Sequence, residues 1–174
     1  NELNESRIPY QDIAFGMNEG GHSGELEQKV LDLHLMGLPS AAYPFVMKVL
    51  LETSKGELQA DASARILAEV ENFMVRRAIC SIEPTGLHAV FKGLWGSLEG
   101  EHTAKAVKQA LGSVKTVEYP NDEKVTRNLD EPLYGKAIAK YVIWSYDFSL
   151  GGDRHTKEDF RHRLWIEHVL PQSL

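Results

Sequence analysis

The residues best suited to chemistry lie at the end of the chain, in Arg163-Leu164-Trp165-Ile166-Glu167-His168-Val169-Leu170-Pro171-Gln172. Leu164, Ile166 and His168 alternate with Arg163, Trp165 and Glu167, which is the period of a short strand. Pro171 then stops any ladder. An acid–His pair therefore sits on rigid backbone before a forced turn and is open on one side, a position suited to a hydrolytic histidine. Phosphodiester cleavage needs an activated water and stabilisation of charge on the phosphate. A His can activate the water, and a carboxylate beside it can hold a divalent cation. Two adjacent polar residues near a chain end are also what an ordinary solvated surface carries.

The stretch leading into this pair, Arg154-His155-Thr156-Lys157-Glu158-Asp159-Phe160-Arg161-His162-Arg163, is the most basic in the chain. One reading is a solvated helix or loop, partly balanced by Glu158 and Asp159. The other is an edge that tracks a nucleic-acid backbone through Arg154, Lys157, Arg161 and Arg163, since neutralising phosphates needs clustered cations. Arg76 and Arg77 also admit two readings. They can complement a helix C-terminus and pair locally, Asn72 lying at i−4 from Arg76, or they can contact a phosphate or anchor another domain. Cys80 follows an apolar run and reads as a small buried hydrophobe. His22, His34, His88 and His102 are scattered without ligand spacing and read as surface or partly packed residues.

The elements that must position these groups are helical. Residues 1–23 are polar and Gly-rich, and read as a loop or poorly ordered arm. From Glu25, Leu26, Val30 and Leu33 share one face, and Gly37-Leu38-Pro39 ends that helix. Ser40 can cap the next, which carries Phe45, Val46, Val49 and Leu50. A long helix is expected from about Leu58 to Cys80, with Ile66, Val70, Phe73 and Met74 in a 3.6-residue stripe. Thr85 can cap a shorter helix, and others are expected near Glu101–Leu111, near 122–129 and over Leu133–Phe148. The pattern predicts an all-α fold: an irregular bundle of six or seven helices, with a possible short strand at the C-terminal end. Three regions follow: the arm at 1–23, a helical domain at 24–150, and at 151–174 a linker with the candidate site.

Composition bounds the function. The 174 residues fit about one domain, and 43% apolar content is enough for a core. The formal net charge is −6, whereas a compact domain that binds nucleic acid alone is usually basic. A single Cys excludes an internal disulfide and suits a reducing cytosol, so a cytoplasmic location is expected. No apolar run approaches membrane-spanning length. The chain begins at Asn1 and stops within a motif, and reads as a piece of a longer protein.

Four segments in one order resemble a known family. Ile166-Glu167-His168-Val169-Leu170-Pro171-Gln172 is similar to the start of the HNH-type nuclease module in GmrSD-type, modification-dependent (type IV) restriction endonucleases. Upstream, Val70-Glu71-Asn72-Phe73-Met74-Val75-Arg76-Arg77-Ala78-Ile79-Cys80 with Thr85-Gly86-Leu87 resembles a family helix and the start of the next. Tyr119-Pro120-Asn121-Asp122-Glu123 resembles a second helix start, and Leu133-Tyr134 with Lys140-Tyr141-Val142-Ile143-Trp144 a third segment. The resemblance implies a DNA endonuclease of phage defence, with His168 as general base, Glu167 as a ligand of Mg²⁺ or Mn²⁺, and DNA as partner. It also implies an N-terminal nucleotide-binding domain outside this stretch, since no Gly-rich phosphate loop is present. The Asn and second His that such a module needs do not follow Gln172 here. The piece itself is therefore expected to be inactive, with no metal bound. The alternative is a non-enzymatic helical scaffold or protein-interaction domain.

Overall fold

The computed structural model describes residues 2–151 and Phe160, with side chains from Glu5 onward. Among these residues the fold is all-α, with eight α-helices, one short 3₁₀ turn and no strand. The expected count of six or seven helices falls short mainly at the N-terminus. Residues read as a loop form helix α1, Glu2–Phe15. The glycines that suggested a loop, Gly16, Gly20 and Gly21, all follow that helix, and Pro9 inside it interrupts the local pattern. Tertiary packing overrides the weak signal: Asp12 and Ile13 are fully buried.

Helix α2, Gly24–Leu35, buries Leu26, Val30 and Leu33 as its spacing predicts. Ser40–Ala42 forms the 3₁₀ turn rather than a simple cap, and α3 follows as Tyr43–Ser54, with Pro44 in the first turn where its missing N–H is not needed. Helix α4, Ala60–Ile79, is the longest and lies against α2 and α3. Its buried stripe of Ile66, Leu67, Val70, Phe73 and Met74 forms the centre of the main core, where Phe73 meets Phe91 edge-on at 6.2 Å. Helix α5, Leu87–Ser97, starts from Gly86 at φ 85°, not from a Thr85 cap. A Cβ there would approach Val117 Cγ2 to 3.1 Å, so both conformation and space favour glycine.

Helix α6, Ala104–Ser113, is capped by Thr103, whose hydroxyl accepts from the Ala106 N–H at 3.1 Å. Helix α7, Asp122–Leu129, is capped by Asn121, whose Oδ1 accepts from the Lys124 N–H at 2.9 Å. Both helices pack on α4. Helix α8 begins only at Ala139 and ends at Ser149. Pro132 and Gly135, the latter at φ 89°, hold residues 130–138 in turns and delay it. Leu35, Ile138, Tyr141, Trp144 and Phe160 form a second, smaller apolar cluster beside the main core. No helix among the described residues is long and apolar enough to cross a membrane.

Candidate functional site

Glu167 and His168, and the four cations Arg154, Lys157, Arg161 and Arg163, lie outside the described residues, as does the expected strand. Within this stretch the structure describes Phe160. It is buried against Trp144, ring centroids 5.4 Å apart at 70°, and its carbonyl accepts from Lys140 Nζ. The ammonium also sits 4.7 Å from the Phe160 ring centroid, within cation–π range.

The upstream segments that carry the resemblance converge on α4. Arg76 donates from Nε to Asn72 Oδ1 at 2.9 Å, from Nη1 to the Pro120 carbonyl at 3.1 Å and from Nη2 to Asp122 Oδ1 at 2.5 Å. Asn72 in turn donates to Tyr119 Oη at 3.0 Å. Arg77 is buried and donates to the carbonyls of Glu118 at 2.7 Å and Glu83 at 2.5 Å. Burial holds its guanidinium below the ordinary range, with Glu118 acting in the other direction. Both arginines thus tie the loops around the C-terminal end of α4 to that helix, while Arg77 Nε is buried and meets no acceptor among the described residues. Lys136 Nζ completes that end by donating to the Ile79 carbonyl at 2.6 Å, a cation placed at the negative pole of the helix.

One turn earlier, Glu71 joins α4 to both α2 and α8. Its Oε1 accepts from the Tyr141 hydroxyl at 2.5 Å, and its Oε2 accepts from Lys29 Nζ. Lys29 also reaches Asp32 Oδ2 at 3.0 Å, and Gln28 Nε2 donates to Asp32 Oδ1 at 2.7 Å. Burial alone would lower the Lys29 pKa, but attraction to Glu71 and Asp32 outweighs it and the net shift is upward. Burial, then the charges of Glu71 and Asp32, push the Tyr141 phenol far above its usual range. This polar knot borders two cavities. One of about 190 Å³ lies between α2, α4 and α8; one of about 250 Å³ lies between α4 and α8, with Ala68, Asn72 and Val142 in its wall.

Sequence reasoning missed Lys29 and Asp32. A signal existed: Lys29–Asp32 and Gln28–Asp32 have i,i+3 and i,i+4 spacing on a helix whose other face is apolar. Their long-range partners, Glu71 and Tyr141, are not readable from local pattern.

The remaining polar candidates serve packing. His22 Nε2 lies 3.2 Å from Asp12 Oδ2, and Asp12 accepts from the Glu19 and Gly20 amides at 2.7 and 3.1 Å, closing the turn between α1 and α2. His34 Nδ1 lies 3.0 Å from the Ile13 carbonyl, and His102 stacks on Trp95 at 4.0 Å. Cys80 is buried as expected, and burial raises its thiol pKa. Among the described residues no group of three or more His, Cys, Asp or Glu side chains is arranged to hold a metal ion. Comparison with protein-family models, with curated proteins and with solved structures gives no match to this chain.

Proposed function

We propose that the chain is part of a modification-dependent DNA endonuclease of the GmrSD type, in which the helical body is a scaffold and residues 151–174 are a linker and the start of an HNH-type nuclease module. The observation that supports this reading is the convergence of the upstream motif segments on α4. Glu71 binds α2 and α8, while Asn72, Arg76 and Arg77 all bind the segment at 118–122, so the residues of the resemblance are joined by direct contacts. In this reading His168 takes the proton of the attacking water. Glu167 offers the hard oxygen donor that Mg²⁺ or Mn²⁺ takes, and the metal, when bound, stabilises charge on the phosphate. Arg154, Lys157, Arg161 and Arg163 neutralise DNA phosphates. A nucleotide-binding domain and the rest of the nuclease module complete the enzyme.

The test is made in the full-length protein. His168→Ala should slow DNA cleavage by about 10²–10⁴-fold, the usual contribution of a general base, while DNA affinity stays near wild type. Glu167→Ala should also move the dependence of rate on Mg²⁺ or Mn²⁺ concentration, because a ligand is lost. Cleavage at the wild-type rate by His168→Ala overturns the assignment.

A further inference from the structure

Helix α8 is apolar on two faces. Tyr141 and Trp144 pack on the helical body with Leu35 and Ile138. On the other side lie Ile143 and Tyr146, which with the C-cap residue Leu150 form a stripe at i, i+3 and i+7. These three are 49%, 64% and 69% exposed. Single exposed apolar residues are ordinary on a surface, but a helix apolar on opposite faces has the pattern of one covered on both. The path of the chain indicates what covers it. Gly151 closes α8 at φ 94°, and its N–H donates to the Phe148 carbonyl. By Phe160 the chain has returned to α8, with the ring on Trp144 and the carbonyl accepting from Lys140. Asp147 stands at i+3 from Trp144, i+4 from Ile143 and i−3 from Leu150, so it lies between the Phe160 contact and the exposed stripe. It is exposed, and its carboxylate has no partner among the described residues.

We propose that residues 161–172 of this chain, which lie outside the described part, dock on the stripe of Ile143, Tyr146 and Leu150. Five of the seven residues from Leu164 to Leu170 are apolar, namely Leu164, Trp165, Ile166, Val169 and Leu170, and need cover of their own. Continuity favours this occupant over a second copy or another protein. Phe160 already tethers the segment to α8, so docking is intramolecular and costs little beyond ordering the segment. Charge agrees with this choice, because Arg161 and Arg163 follow Phe160 closely and meet the carboxylate of Asp147. Reach is ample: the stripe spans about 10 Å at the helical rise, and twelve extended residues span up to about 40 Å. Docking gives Glu167 and His168 a fixed place against the helical body. The inference does not depend on the chemistry proposed for that pair.

The experiment uses the 174-residue chain with ¹³C-labelled isoleucine and leucine methyl groups, Ile143 and Leu150 being assigned by Ile143→Val and Leu150→Met. Nuclear Overhauser cross-peaks from these methyls to Leu164, Trp165, Ile166, Val169 or Leu170 are the expected result. Tyr146→Glu places a charge in the middle of the stripe at an exposed position, so it should abolish the cross-peaks while the methyl resonances of the main core stay in place. Tyr146→Phe should retain them. Three results overturn the proposal: no cross-peak to the segment, cross-peaks that persist in Tyr146→Glu, or cross-peaks that arise only between chains in a mixture of labelled and unlabelled protein. The last of these would show a second copy on the stripe.

Discussion

Arg77→Ala should be among the most destabilising single substitutions in the chain, and its cost can be worked from the structure. The guanidinium is buried and donates to two backbone carbonyls, those of Glu118 and Glu83. A hydrogen bond from a charged donor contributes about 1.5–3 kcal/mol, so two contribute about 3–6 kcal/mol before desolvation is counted. Burying the cation offsets part of this, as its lowered pKa indicates. Truncation also removes the contact with the Phe73 ring, whose centroid is 5.5 Å from Arg77 Cζ, and strands the two carbonyls. The balance is a loss of about 3–4 kcal/mol, in the range found when a buried charged partner is removed. Against a typical total of about 5–15 kcal/mol this is large, and urea unfolding would register it as a lower midpoint at constant slope. Arg77→Lys retains the charge but not the two-armed reach, and should lose about half as much. A loss below about 1 kcal/mol for Arg77→Ala, the size of a surface effect, would refute the reasoning, because it would mean that water replaces the arginine at both carbonyls.

The neighbouring arginine supplies a contrast: Asp122→Ala removes an ion-pair partner of Arg76 that is largely exposed, and should cost less than about 1 kcal/mol in the same assay. Alkaline titration followed by tyrosinate absorbance should show Tyr141 staying protonated until the chain unfolds, checked by its subtraction in Tyr141→Phe. Because the folded-state pKa values of Tyr141 and Lys29 are raised, the unfolded chain releases these protons first, so stability should be intact below about pH 10 and fall above it. Cys80 should react slowly with a thiol reagent at mild pH and rapidly once the chain is unfolded in urea, since burial both hides it and raises its pKa. Gly16→Ala should destabilise by more than about 1 kcal/mol, because φ is 60° and the new Cβ would fall 2.5 Å from His34 Cδ2.

What could be read from the sequence was local. The 3.6-residue stripes of α2, α3 and α4 predicted their buried residues because those helices each bury one continuous face. The helix near 122–129 was legible because its cap is local: the Asn121 side chain bonds three residues ahead. Helix α1 was not legible, because its order depends on burying Asp12 and Ile13 against distant elements and not on its own periodicity. The start of α8 was misjudged because the apolar spacing extends back to Leu133, whereas Pro132 and Gly135 keep the backbone in turns. The knot of Lys29, Asp32, Glu71 and Tyr141 was visible only as separate residues: 42 positions separate Lys29 from Glu71 and 70 separate Glu71 from Tyr141. The arginine pair was half legible, since Asn72–Arg76 has helical spacing while the carbonyl acceptors of Arg77 depend on loop geometry.

The placement of the motif residues along α4 separates two questions that the resemblance joins. Glu71 and Asn72, then Arg76 and Arg77, sit about one turn and a half apart on a single helix. Glu71 reaches α8 and α2, Asn72 reaches Tyr119, Arg76 reaches residues 120–122, and Arg77 reaches the carbonyls at 118 and 83. Polar residues of this kind fix the distance and orientation of the segments they join more sharply than apolar contacts do, because a hydrogen bond tolerates little misalignment. The positions that carry the upstream part of the resemblance are therefore structural in this chain. The proposed chemistry depends instead on Glu167, His168 and the cations before them. Substitution of Arg77 should accordingly perturb stability, and on the proposed function substitution of His168 should perturb rate. A variant of one class that moved the observable of the other would show that scaffold and proposed site are coupled, with Lys140, Trp144 and Phe160 as the contact through which α8 holds the chain that leads toward the site.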